Sequence, residues 1–277
     1  MDWKEIYDAI PHVVEELKRD YVLQNTIIRN DIFNILEKHC TVVYYPLPEE
    51  KNCGFHTKRF VTDHLEDFVY INTAKKLPEQ VFTAAHELGH VWGVVDKIKE
   101  KTSDCGEVSK KEEEQIINRF AAELLMPALQ FRKTFYFHLK ELCSDFSDFS
   151  LETLIKIIVM QMNDYMVPYE AVRRRLVETD ILTERNGILL EQNEKSILTL
   201  VDIFSKDLNT MLDNVTGKKT IPGLRDLLEN IEKNELLDIY TIRKIKNDFD
   251  ISDVTVSEDV LNIRIGDKKD GENRSNR

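Results

Sequence analysis

The sequence predicts an α+β protein, predominantly helical, with a small β-sheet ahead of a central helix and a helical extension on the C-terminal side. Three observations carry that expectation. Apolar residues recur at helical spacing over most of the chain, two short runs are dense in β-branched and aromatic residues, and polar, Pro- or Gly-containing stretches separate these segments.

In chain order, the first 40 residues read as two helices, with Trp3, Ile6 and Ile10, then Ile27, Ile28, Ile32, Ile35 and Leu36, at helical intervals. Two strands follow, TVVYY at 41–45 and FVYIN at 68–72, with the turn-rich PLPEEKNCG in the connection. Pro78 suits the first turn of a helix that runs through VFTAAHELGHVWG (81–93) and stops near Gly93. A polar connector, DKIKEKTSDCGEVSKKE, leads to a second helix from about Glu112 to Met126, ended by Pro127. Further helices fill 128–192, and three amphipathic helices are expected over about 194–250, with GKKTIPG as the clearest break. The expected organisation is a main domain at 1–192, a helical region at 193–265 and a disordered tail at 266–277, which is too polar to fold.

With 277 residues, 42% of them hydrophobic, the chain can bury a substantial core. It carries 50 acidic against 38 basic side chains, which argues against direct nucleic-acid binding, because phosphate contacts need clustered Lys and Arg. The local exception, AVRRRL at 171–176, is read as a solvated helix face. No run approaches the roughly 18 apolar residues of a membrane span, and the N-terminal stretch has no signal-like apolar core; the expected compartment is the cytoplasm. Cys40, Cys53, Cys105 and Cys143 form no CxxC pair, so neither a disulfide framework nor a cysteine zinc site is expected.

The chemistry concentrates in His86, Glu87 and His90. Residues i and i+4 of a helix project from one face, so His86 and His90 can direct two imidazoles at one ion about 2 Å from each. Glu87 lies where it can reach a water on that ion and act as general base, the pattern HExxH of zinc metallopeptidases. The motif alone arises by accident on the order of once in a hundred such sequences. Its surroundings, Phe82, Ala84, Ala85, Leu88 and Val91, make the helix apolar, where unpaired polar groups are costly. A third ligand is needed, and Glu114 with Asn118, spaced i, i+4 on the second helix, can face the first: Glu114 toward the metal, Asn118 toward the second nitrogen of a ligand histidine. Glu112 and Glu113 are explained by the helix N-terminus. Gly89, inside the helix, points to a close approach of backbone or substrate.

FTAAHELGH followed by ExxxNRFAAELLMP resembles the ImmA/IrrE family of zinc metallopeptidases, over roughly residues 27–178, with VYIN ending at Asn72 and VPYEAVRRRL as further points of likeness. The resemblance implies a zincin-like core, zinc held by His86, His90 and Glu114, Glu87 as general base and Asn118 behind a ligand. It also implies action on a DNA-binding repressor of a mobile element or a stress or defence operon, by cleavage or by displacement. Ile117 stands where relatives often carry a small residue, and no helix-turn-helix module precedes the domain, so a separate DNA-binding partner is expected. The alternative is a zinc-containing binding protein that displaces its repressor without cutting it. Cys105, in the connector between the two ligand helices, is a candidate regulatory thiol for the open metal position. His138 and Tyr136 are candidate oxyanion donors that no spacing selects, and Cys53 and His56 lie in a connection that could overhang the site but are read as incidental. The FVYIN strand is read as either a substrate-binding edge or an internal strand.

Overall fold

The computed structural model describes residues 2–20, 27–49, 51–61, 63–102, 107–143, 150–208 and 210–251. Among them the chain is predominantly helical, with twelve helices and one three-stranded sheet. Cys105 and the expected tail at 266–277 lie outside the described residues, as does the end of the expected helical region beyond 251. None of the described helices is long and apolar enough to cross a membrane. The chain divides into two compact units, Met1–Pro222 and Gly223–Arg277.

In the first unit, helix α1 (Trp3–Asp20) and helix α2 (Asp31–Glu37) precede strand β1 (Thr41–Tyr45). Ile6, Ile10, Val13, Val14 and Leu17 line the buried side of α1, a stripe at the helical period. Strand β2 (Gly54–Val61) was not expected from the sequence. It forms a hairpin with β3 (His64–Asn72), which extends the FVYIN segment toward its N-terminal side. The strand order is β1-β3-β2, with β1 parallel and β2 antiparallel to β3. FVYIN is therefore the central strand, hydrogen-bonded on both sides, and does not offer an edge.

The sequence of β2, GFHTKRFV, hides its nature because most of it is exposed, so no apolar alternation marks it. Asn72, fully buried at the end of β3, closes the connection between β1 and β2. Its Nδ2 donates to the carbonyls of Leu47 (2.9 Å) and Asn52 (3.2 Å), and its Oδ1 accepts from the amides of Leu47 (3.0 Å) and Ala74 (3.1 Å).

Helix α3 (Leu77–Val91) packs beneath the sheet, with α4 (Val94–Lys101) after it. Gly93 joins them at φ +60°, a left-handed conformation in which a side chain is disfavoured. Helix α5 (Lys110–Leu125) lies against α3 and α1, and α6 (Ala128–Leu142), α7 (Leu151–Tyr165), α8 (Tyr169–Glu178), α9 (Glu184–Gln192) and α10 (Glu194–Asp207) complete the helical layer. The arginine run on α8 differs from its expected solvated state. Arg175 is fully buried, paired with Glu123 and Glu178 and donating to the Met126 carbonyl at 2.8 Å, and Arg173 is buried against Glu170 and Glu191.

After α10 the chain returns across the sheet. Thr220 exchanges two backbone hydrogen bonds of 2.9 Å with Tyr44, covering the outer edge of β1. The same strap reaches α3: the Leu77 amide donates to the Asn214 carbonyl at 2.7 Å, and Thr216 Oγ1 donates to Gln80 Oε1 at 2.7 Å. The second unit contains α11 (Leu224–Lys233) and α12 (Ile239–Asp248), a helical pair with Leu228 and Ile242 buried.

Candidate metal centre

Helix α3 buries Val81, Ala84, Ala85 and Leu88, and this apolar stripe turns His86 and His90 toward α5 and the sheet. Its first turn holds Pro78, and the Glu79 carboxylate accepts from the Lys76 amide at 2.9 Å, which satisfies one otherwise free donor. Helix α5 starts at a capping box in which Ser109 and Glu112 bond reciprocally, Glu112 Oε2 accepting from the Ser109 amide at 2.8 Å. Gly89 allows the two helices to approach. A Cβ there would stand 3.0 Å from Phe120 Cδ1 and 3.1 Å from Ile117 Cγ2, so the close neighbour is the side-chain layer of α5.

Five residues singled out by the sequence meet at this contact. His86 Nε2 and His90 Nε2 lie 3.3 Å apart, Glu114 Oε2 is 3.1 Å from the former, and Glu114 Oε1 is 3.8 Å from the latter. Donor atoms of His86, Glu87 and His90 all lie within 4.8 Å of one another. Ligands about 2.1 Å from a tetrahedral ion stand roughly 3.4 Å from each other, so the spacing of the two imidazoles and Glu114 fits such an ion. His86 Nδ1–H donates to Asn118 Oδ1 at 3.0 Å, which leaves the Nε2 lone pair facing the other donors.

The electrostatics point the same way. Burial, and then the neighbouring His90, hold His86 below the usual histidine range. Burial does the same for His90. Both rings are thus kept neutral, the state in which imidazole binds metal. Burial, with the Glu114 carboxylate adding to it, pushes Glu87 up to about 8. A divalent cation acts in the opposite direction, favouring the carboxylate.

Two neighbours were missed by sequence reasoning. The ring of His56, on β2, lies parallel to that of His90, with centroids 5.9 Å apart and planes at 6°, and its Nε2 is 2.6 Å from Asp67 Oδ1 on β3. Glu113 Oε1 is 3.5 Å from His90 Nδ1, so Glu113 stands behind the His90 ring, on the side away from the donor set, while Glu112 caps the helix. Glu113 follows Glu112 on the helix that carries Glu114, a signal present in the sequence; for His56 the signal was its place in a connection that could overhang the site, set aside because its strand was not recognised.

The remaining candidates are placed elsewhere. His138 Nε2 is hydrogen-bonded to Asp164 on α7 at 2.7 Å, and its Nδ1 makes only a 3.5 Å ion-pair contact with Glu141 on α6, so the ring is held between these two helices. Tyr136 is half exposed beside Phe135. The Cys53 thiol is half-buried and burial raises its pKa.

A family model described as the IrrE N-terminal-like domain, of the M78 peptidases, matches residues 37–177. A search of curated proteins finds no match. Among solved structures, a Mycobacterium tuberculosis transcriptional regulator is similar at 15% identity and a TM-score of 0.40, covering 64% of this chain and 52% of that one. The chain thus spans about half the length of that regulator.

Proposed function

Because the chain belongs to the IrrE-like family of M78 peptidases, we propose that it is a zinc-dependent endopeptidase whose substrate is a regulatory protein, a helix-turn-helix repressor of a mobile element or of a stress or defence operon. The observation that carries the reading is the convergence of His86 Nε2, His90 Nε2 and the Glu114 carboxylate at 3.1–3.8 Å, with the buried Glu87 beside them. On this reading His86, His90 and Glu114 hold the metal, and Asn118 fixes the His86 tautomer. Bound zinc supplies Lewis acidity toward a peptide carbonyl and lowers the pKa of water. Glu87 takes the proton of the attacking water and returns it to the leaving amine.

The sheet offers the substrate one edge among the described residues. Thr220 covers β1, whereas no described residue hydrogen-bonds to the outer backbone edge of β2, which carries His56 beside His90. An extended peptide paired along β2 is held by main-chain hydrogen bonds next to the donor set. The work is assigned to the cytoplasm, where such a repressor acts.

The test is Glu87→Gln in the full chain. Zinc content by elemental analysis stays near one per chain while cleavage of the repressor is abolished. A variant that still relieves repression would instead support displacement without cleavage, and well under one zinc in the wild-type chain would remove both readings.

A further inference from the structure

The β2–β3 ladder runs past the end of β1. Strand β1 pairs only with Phe68–Asn72, whereas β2 stays paired with β3 out to Val61 opposite His64. The outer half, Lys58–Val61 against His64–Asp67, is therefore a two-stranded arm with no third strand among the described residues. Side chains alternate between the faces of a strand, so His56, Lys58 and Phe60 share one face with their partners Val69, Asp67 and Leu65. The stacking of His56 on His90 identifies this as the face on the metal side.

The two faces are furnished differently. On the far face Phe55 lies against Tyr70, with centroids 5.3 Å apart, and the Arg59 guanidinium stands 5.9 Å from the centroid of Phe68. On the metal-side face, Lys58 and Asp67 are 3.7 Å apart and offset each other's charge. Beyond them sits the cross-strand pair Phe60 and Leu65, 79% and 51% exposed. An aromatic this open, on a ribbon that is marginal in water by itself, is a feature that calls for an occupant.

We infer that Phe60 and Leu65 form a specificity subsite, a seat for an apolar side chain of the polypeptide substrate about four residues from the scissile bond; this rests on the peptidase reading above. The occupant follows from continuity. The open edge of β2 runs unbroken from His56, against the donor set, to Phe60, four positions and about 13 Å further along a strand. A peptide paired with that edge is carried from the metal to the apolar pair, and a residue opposite Phe60 on the same face makes the cross-strand contact that aromatics favour.

The test uses the zinc-loaded full chain and a pool of random peptides long enough to reach the arm, with cleavage products sequenced by mass spectrometry. Apolar residues should be enriched about four positions from the cut. Phe60→Ser should remove that enrichment and lower kcat/KM for such peptides about tenfold, and Leu65→Ser, at the residue that backs Phe60 from β3, should weaken the enrichment in the same direction. Phe60→Leu should retain it, and peptides too short to reach the arm should be cut at the wild-type rate by all variants. Both side chains are exposed, so thermal melting should be unchanged. A wild-type profile without apolar enrichment at that distance, or one that both serine variants leave intact, overturns the inference. A second readout needs no turnover: affinity selection of the same pool on the Glu87→Gln variant. If no peptide is cut, the peptidase reading fails and this selection decides alone. Apolar enrichment that Phe60→Ser removes sustains the seat, and equal recovery with and without Phe60 overturns it.

Discussion

Replacing Asn118 by Ala removes the acceptor that fixes the tautomer of His86, and the expected consequence is weaker zinc binding with little loss of fold. The His86 Nδ1–H to Asn118 Oδ1 bond is 3.0 Å long and lies at a ring whose side chain is 15% exposed. A hydrogen bond of this kind contributes about 0.5–1.5 kcal/mol, and leaving the donor unsatisfied costs about 1–3 kcal/mol. The metal-bound state needs the proton on Nδ1, whereas the metal-free ring can move it to Nε2, so the loss falls mainly on the bound state. Asn118 also lines a cleft of about 400 Å³ with Tyr7, Phe82 and Arg119, through which water can reach the vacated position. That places the loss at the lower end, about 1.4–2 kcal/mol, or roughly 10- to 30-fold in the zinc dissociation constant. Competition against a chromophoric chelator measures it. Asn118→Asp, which restores an acceptor, should recover most of the affinity. An Asn118→Ala chain that binds zinc within about twofold of wild type would refute the reasoning.

Gly89→Ala should gain about 1 kcal/mol of helix propensity and lose about 1–3 kcal/mol to crowding against Phe120 and Ile117, so its melting temperature should fall modestly. Because Ile117 adjoins Asn118 on α5, the same shift should weaken zinc binding severalfold; wild-type affinity in the chelator assay would argue against it. Asp164→Asn tests the anchor between α6 and α7. The hydrogen bond to Asp164 raises the pKa of His138, so the stability it confers is fully present below the ordinary histidine value of about 6.5 and is lost as pH rises through the raised one. Urea midpoints should therefore show the variant destabilised at about pH 6 and much closer to wild type at about pH 9. Equal deficits at both would count against the ion pair.

The helices that carry the proposed ligands were legible because several signals coincide in each. In α3 a proline near the start, a glycine past the end and an apolar stripe agree, and in α5 Pro127 marks the end, whereas the start at Lys110, behind the Ser109–Glu112 box, falls two residues before the expected Glu112. The choice of Glu114 over its neighbours came from its spacing to Asn118, a relation internal to one helix. What the sequence did not reveal depends on partners distant in the chain. The strap from Asn214 to Thr220 is held largely by backbone hydrogen bonds, which leave no pattern in side-chain type. Strand β2 is an exposed edge, and the hydrophobic alternation that betrays a strand is a signature of one buried face. Missing β2 made His56 look incidental and made FVYIN look like a possible edge.

The two sides of the sheet have opposite treatments, and the difference bears on function. An open strand edge invites pairing with other chains, so proteins cover it or place charges on it. At β1 the chain covers its own edge with Thr220, and Lys218 lies over the Tyr44 ring at 3.7 Å. At β2 the edge is left uncovered among the described residues, but it carries the exposed charges Lys58 and Arg59. Charges of that kind oppose lasting association between sheets while leaving the backbone free to receive a single strand for a short time. An edge that is open, charged and adjacent to His90 has the properties a peptidase needs for a substrate it must bind in extended form and release after the cut. The closed edge at β1 then matters as much as the open one, because among the described residues it leaves an incoming strand one edge, the one beside the donor set.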